Sequence, residues 1–119
     1  MYTHERLSLY KESLEDAIIR NESFVIYEDL ATGKFVQFAM MHDEKKFVVD
    51  IPMAELDETT FEWLRPHMGT AVDSYGELTA LQKTIEAQYT QYASEYTDWI
   101  FTKIFQLPEN HDVKVSIFS

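Results

Sequence analysis

The spacing of apolar and polar residues changes from helical to strand-like between Phe24 and Pro52. Runs rich in β-branched and aromatic residues are separated by short polar segments, which is typical of antiparallel strands joined by tight turns. Gly33 can supply the positive φ that a hairpin turn requires. The pattern predicts a three-stranded meander, with strands at Ser23–Asp29, Lys34–Met41 and Lys46–Ile51, the last one ended by Pro52.

Helical spacing before this meander predicts a first helix from Glu5 to Arg20. Thr3 is the expected N-cap, and Glu5 in the first turn suits the helix dipole. After the meander, Asp57 is the expected N-cap of a short helix from Glu58 to Leu64.

The segment from Ser74 onward matches a capping box, because Glu77 follows Ser74 by three residues. It predicts a long helix from Tyr75 to Phe105. The alternating segment Asp112–Phe118 then predicts a final edge strand. The apolar stripe of the long helix is Leu78, Leu81, Ile85, Tyr89, Tyr92, Tyr96, Ile100 and Ile104.

The predicted order of elements is α-β-β-β-α-α-β. With 119 residues, one domain is expected. We therefore predict a single α+β domain over residues 1–119, with a small antiparallel sheet of three or four strands packed by two or three helices.

The predicted middle strand is apolar on both sides. Its alternate residues Val36, Phe38 and Met40 share one side, and Phe35, Gln37, Ala39 and Met41 share the other. A sheet covered on one face should alternate apolar and polar residues more cleanly. Either helices cover both faces, or one face meets a partner.

Composition narrows the classes of function. The formal net charge is −11, from 21 acidic and 10 basic residues. Such a field repels nucleic acids and anionic membrane surfaces and favours a basic or amphipathic peptide partner, although solubility alone can account for it. The chain has no cysteine, which excludes disulfides and thiolate chemistry. The first residues lack a signal or transit pattern, and no run is long enough for a membrane helix, so the cytoplasm is expected.

No pattern indicates a catalytic, cofactor or metal site. The four histidines are scattered, with no pair at the spacing of a helical zinc site. The segment Ala31–Lys34 lacks the first glycine and the loop length of a phosphate-binding loop, and no nucleophile elbow occurs. We expect a protein that is not an enzyme.

Two parts of the chain resemble a known family. They are the strand block with TGKFVQF and FVVDIP, and the tail IFQLPENHDVKVSIF. Together they resemble the YbjN-like and type III secretion chaperone-like domains, a group of peptide-binding chaperone domains (TY-Chap). The resemblance implies a helix before a bent antiparallel sheet, helices on one side, frequent homodimers and no catalytic residues. The sequence shows no middle hairpin between the two later helices, a feature of the secretion chaperones proper.

These observations predict a chaperone-type module that binds an apolar partner segment, either on the sheet face with Val36, Phe38 and Val48 or at a homodimer interface. The tyrosines of the long helix could instead pack on the sheet as core. The alternative function is a small ligand-binding domain or hydrolase with a pocket between the long helix and the sheet. The residues expected to contact a partner are Val36, Phe38, Met40, Val48, Tyr89, Tyr92 and Tyr96.

Overall fold

The computed structural model describes residues 1–119 and confirms the α+β class, with a helix-packed antiparallel sheet. The sheet has six strands rather than three or four, in the order β4-β5-β3-β2-β1-β6. The elements are α1 (Thr3–Ile19), β1 (Phe24–Asp29), β2 (Phe35–Met41), β3 (Lys46–Pro52), α2 (Glu58–Leu64), β4 (Gly69–Val72), β5 (Leu78–Glu86), α3 (Thr90–Trp99) and β6 (Val113–Phe118).

The predicted meander is confirmed as β1, β2 and β3, each within one or two residues of its expected bounds. Gly33 lies in the β1–β2 turn with φ +75°, the left-handed geometry for which a residue without Cβ is suited. Pro52 is the last residue of β3 rather than the residue that follows it. The β6 strand pairs with β1 and lies at one edge of the sheet, as predicted.

The two shorter predicted helices form, with one change at a cap. Asp57 caps α2, since its side chain accepts a hydrogen bond from the backbone N–H of Thr60 at 2.7 Å. The helix α1 already begins at Thr3, so Thr3 is not the N-cap; Tyr2 is. The Glu5 carboxylate accepts a hydrogen bond from the Tyr2 backbone N–H at 2.8 Å, which satisfies a donor at the helix start.

The predicted long helix from Tyr75 to Phe105 is wrong. Its first half is the strand β5, which pairs with the short strand β4. Its second half is α3, which continues into a π-helical turn over Ile100–Ile104. The β4–β5 hairpin lies between α2 and α3, so the expected lack of a hairpin there is also wrong.

The turn between β4 and β5 explains why the capping-box pattern misled. The Asp73 carboxylate accepts hydrogen bonds from the backbone N–H groups of Tyr75 (2.8 Å) and Glu77 (3.0 Å). Gly76 has φ +79°, which a helix cannot accommodate. These interactions stabilise a hairpin turn at the place where the Ser74–Glu77 spacing favours a helix.

All three helices pack on one face of the sheet, which we call the covered face. One apolar core cluster joins the helices to the alternate strand residues on that face. The rings of Tyr10 in α1 and Tyr27 in β1 meet edge to face at 4.9 Å, and Tyr27 continues to Phe38 at 5.8 Å. The strand residues of the core are Val25, Tyr27, Val36, Phe38, Met40, Phe47, Val49, Ile51, Leu81, Ile85 and Val113.

A buried ion pair joins α1 to α3. The Arg6 side chain has no exposed surface, and its Nε donates to Asp98 Oδ1 at 2.7 Å. The same guanidinium donates to the backbone carbonyls of Met1 (2.9 Å), Glu109 (2.6 Å) and His111 (3.2 Å). Arg6 therefore fixes the loop before β6 against the helices.

None of the helices combines the length and the apolar content that crossing a bilayer requires.

Candidate functional site

The second face of the sheet, which we call the open face, has no helix packed on it. Residues that pair across neighbouring strands lie on the same face, so the register defines it. One row crosses five strands through Phe118, Phe24, Ala39, Val48 and Thr84. The next row contains Ser116, Ile26, Gln37, Asp50 and Gln82.

Large apolar side chains on the open face remain accessible. Phe24 and Met41 each keep 40% of their surface exposed and Phe118 keeps 48%, while Ile26 and Val48 are half-buried. Burial on the covered face is far more complete, with Val25, Tyr27 and Val49 at 0%. The central strands are therefore apolar on both faces, and the faces differ because helices cover only one of them.

The open face carries little net charge, although the chain as a whole is strongly acidic. Glu28 pairs with Lys114 across β1 and β6 at 3.0 Å, and Glu86 lies opposite Lys46 across β5 and β3. Asp50 is the one carboxylate near the centre. Depletion of charge together with exposed aromatic residues is the composition found at the centres of protein interfaces.

Asp50 lies in a partly desolvated position. Burial raises the pKa of its carboxyl group, and a hydrogen bond from Gln82 Nε2 at 2.6 Å partly opposes that rise. The hydrogen bond keeps Oδ1 of the carboxylate paired within the sheet, so a molecule that covers the face leaves this oxygen with its partner.

The expected partner-binding residues do not lie together. Val36, Phe38 and Met40 are on the covered face, with 0%, 0% and 8% of their surface exposed, so they are core residues. Val48 pairs with Ala39 and therefore points to the open face, opposite to Val36 and Phe38. The expected binding face with Val36, Phe38 and Val48 is wrong, since the protein's own helices bury two of its three residues.

The expected tyrosines lie on the helix side of the molecule. Tyr89 directly precedes α3 and is 53% exposed, and Tyr92 is 48% exposed. Tyr96 is half-buried, and its hydroxyl lies 3.8 Å from Met68 Sδ. Burial, with a smaller contribution from Tyr92, raises the pKa of Tyr96 to about 12. These tyrosines cannot join a site on the open face, because α3 packs on the covered face and the sheet lies between.

Sequence reasoning missed that the tyrosines belong to a longer aromatic row. The ring of Tyr92 lies 6.1 Å from that of Tyr96, Tyr96 lies 5.6 Å from Trp99, and Trp99 lies 6.4 Å from Trp63 in α2. The Nζ of Lys83 on β5 lies 5.6 Å from the Tyr96 ring centroid. The spacing of Tyr92, Tyr96 and Trp99 along one helix face was a signal that could have revealed part of the row.

The interface between α3 and the sheet is filled by side chains. Ala93 and Ile100 on the helical side and Leu81 and Ile85 on β5 are buried in one core. A pocket between the C-terminal helix and the sheet, which the alternative function requires, therefore has no support in the packing there.

A comparison of the chain with protein-family models, with curated proteins and with solved structures found no match.

Proposed function

We propose that this protein is a binding module of chaperone type that holds an apolar segment of another polypeptide on its open sheet face. The observation that carries the proposal is the combination of accessible Phe24, Ile26, Val48 and Phe118 with almost no net charge, on a chain whose formal net charge is −11. Apolar surface of this kind gains free energy when a partner removes it from water.

The charge distribution indicates what the partner carries beside its apolar residues. Most of the acidic residues lie outside the open face, and the net charge of −11 makes the chain as a whole attractive to a basic segment. A segment with Lys or Arg residues flanking an apolar stretch matches both the neutral centre and the acidic surroundings.

The same distribution argues against a second copy of the chain as the occupant. Two copies bring together two net charges of −11. In a two-fold packing of the open faces, the central Asp50 of each copy also approaches that of the other, and like charges at close range are repelled. We therefore favour a different polypeptide over self-association.

The resemblance to the secretion chaperone-like domains supports the proposal. The β4–β5 hairpin lies between α2 and α3, where those domains have theirs. The fold is thus compatible with the proposed chaperone function at the point where the sequence pattern indicated a departure from those domains.

The test uses synthetic peptides with one apolar core sequence, flanked either by Lys or by Glu, and fluorescence anisotropy as readout. We expect the Lys-flanked peptides to bind and Val48→Glu to weaken binding by about tenfold or more, since loss of one buried Val contact is worth about 1.5 kcal/mol. The control Ile19→Glu alters a side chain that is 83% exposed on α1, away from the open face, and should bind as the parent does. Circular dichroism checks that both variants fold.

Two results would contradict the proposal. Equal binding by the parent and Val48→Glu would place the peptide elsewhere. Light scattering that finds a dimer, converted to monomer by Val48→Glu, would assign the open face to a second copy of the chain.

A further inference from the structure

Two buried side-chain atoms at one end of the sheet have no hydrogen-bond partner within the protein. They are Oδ1 of Asp29, a residue only 1% exposed, and Nε2 of His111, a residue 6% exposed. The other carboxylate oxygen of Asp29 accepts from the backbone N–H (2.8 Å) and the hydroxyl (2.6 Å) of Thr32. Buried polar atoms without partners are uncommon, and each costs about 1–3 kcal/mol.

Both unpaired atoms are acceptors when the His111 ring is neutral. The ring Nδ1 of His111 lies 2.7 Å from the carbonyl oxygen of Pro108. A carbonyl oxygen can only accept, so Nδ1 carries a proton, and in the neutral form of the ring Nε2 presents a lone pair. A carboxylate oxygen is likewise an acceptor only. A molecule that satisfies this pair of atoms must therefore bring hydrogen-bond donors.

Asp29 and His111 line the same cavity, which has a volume of about 400 Å³. It lies between the β1–β2 turn and the loop that leads into β6. Its apolar walls are Leu30, Leu107 and Pro108, and no Lys or Arg side chain lines it. The cavity thus combines apolar walls with unpaired polar atoms. The N-terminal ammonium of Met1 bonds two other lining residues, the Asn110 carbonyl at 3.0 Å and the Asp112 carboxylate at 2.6 Å, and leaves Asp29 and His111 unpaired.

The back of this cavity is held in place from the core. Arg6 donates to the carbonyl oxygens of Glu109 and His111 from the opposite side of the loop, at 2.6 and 3.2 Å. The ring of His111 also lies 5.6 Å from that of Phe101. These contacts hold the loop and the His111 ring from the side of the core.

We propose that this cavity binds an ammonium or guanidinium group carried on an aliphatic stem. The cationic head donates hydrogen bonds to Asp29 Oδ1 and His111 Nε2, and the stem contacts Leu30, Leu107 and Pro108. Both atoms are shielded from solvent, that in the cavity included, so the head reaches them only when the turn and the loop separate. The acidic charge of the chain favours the approach of such a cation. The group can belong to a free alkylamine or to a Lys or Arg side chain of a peptide.

The test is NMR of the ¹⁵N-histidine-labelled chain titrated with n-butylammonium, n-butylguanidinium, the peptide acetyl-Ala-Arg-Ala-amide and uncharged n-butanol. We expect a saturable shift of the His111 Nε2 resonance with at least one cationic probe and none with n-butanol. Tighter binding of the peptide assigns the natural group to a side chain, and tighter binding of a free amine or guanidine assigns it to a small molecule.

A matched pair of variants checks the role of Asp29. Asp29→Asn keeps an oxygen that can accept from Thr32 and should weaken binding by about tenfold or more, since it removes the charge that pairs with the cation. Asp43→Asn removes an exposed carboxylate in the β2–β3 turn and should leave the affinity unchanged. The proposal is overturned if no cationic probe gives a saturable shift, if Asp29→Asn binds as the parent does, or if Nε2 is already protonated in the free protein.

Discussion

Replacing Arg6 by Met removes the buried guanidinium while keeping an unbranched side chain of similar reach. Asp98, whose residue is 8% exposed, then loses the donor at 2.7 Å that compensates its buried charge. Backbone carbonyls of the chain start and of the loop before β6 lose their donor at the same time.

The size of the effect follows from burial. Removing one partner of a buried ion pair costs about 3–5 kcal/mol, because a charge is left without compensation. The hydroxyl of Tyr10 stays 3.5 Å from Asp98 Oδ1, at the limit of a hydrogen bond, so it recovers little of the loss. We expect Arg6→Met to lower the free energy of unfolding by about 3–5 kcal/mol, a large share of the stability of a small domain.

Urea unfolding followed by tryptophan fluorescence measures this change. The same helix offers a matched control, since Arg20 and Asp16 form an exposed pair at 3.2 Å with side chains 66% and 42% exposed. Arg20→Met should cost less than about 0.5 kcal/mol, as exposed pairs generally do.

A double-mutant cycle separates the ion pair from other effects of the substitutions. The variant Arg6→Met/Asp98→Asn should be less destabilised than the sum of its single variants, by about 1 kcal/mol or more. A cost below about 1 kcal/mol for Arg6→Met, or equal costs for Arg6→Met and Arg20→Met, would refute the reasoning that burial gives this pair its importance.

Further predictions concern titration and hydrogen bonding. The pKa of Tyr96 is raised to about 12, so Tyr96→Phe should leave the absorbance titration of the tyrosines unchanged below pH 11 and remove a component above it. Burial raises the pKa of Asp50 in the folded chain, so ionisation of this carboxyl group opposes folding. Asp50→Asn lacks the group, and its free energy of unfolding relative to that of the parent should rise between pH 3 and 6. A difference between the two free energies that stays constant over this range would contradict the prediction. Asp57 has its pKa lowered by hydrogen bonds from Thr60, so the stabilisation it gives is present above pH 4 and is lost as pH falls below it. Asp57→Ala and Asp57→Ser should therefore both show a weaker acid dependence of the thermal midpoint than the parent, because neither side chain titrates, and Asp57→Ser, which keeps a capping oxygen, should be the more stable of the two at pH 7. Tyr27→Phe removes a hydroxyl that bonds Ser13 at 2.6 Å and the Tyr10 carbonyl at 3.1 Å and should cost about 1–2 kcal/mol in urea unfolding.

The sequence was sufficient for elements whose local signals agree with the final packing. In the meander, β-branched runs, turn residues and the position of Gly33 all favour the same strands, and Asp57 marks a helix start that packing leaves intact. Agreement between local preference and tertiary packing makes such elements predictable.

The β5 strand could not be identified because its alternation is hidden. Leu81, Lys83 and Ile85 are alternate residues that share the covered face. A strand with one buried face should have apolar residues at all three positions, and the lysine interrupts that alternation. Lys83 is tolerated there because its ammonium group lies over the Tyr96 ring, a contact between residues of different elements. Leu78, Leu81 and Ile85 also fit helical spacing, so periodicity alone favoured the wrong element.

The candidate site was predictable only in part. The sequence correctly indicated that the middle strand is apolar on both sides, but nothing in the alternation says which side the helices cover. The register between strands decides that Val48 lies with Ala39 rather than with Phe38, and register depends on the pairing of whole strands. The exposed neighbours Phe24 and Phe118 come from segments far apart in the chain.

The position of β6 beside β1 has a consequence for how the molecule assembles during synthesis. As β1 and β2 leave the ribosome, one edge of β1 has no partner until residues 113–118 have been made. Arg6 likewise waits for Asp98, 92 positions later, before its charge is compensated. Contacts between residues so far apart in the sequence form slowly, because the chain loses the entropy of closing a long loop before the contacts stabilise it. A nascent chain therefore carries an unpaired strand edge and an unmatched cation through most of translation, and closing both is expected to be among the last steps of folding.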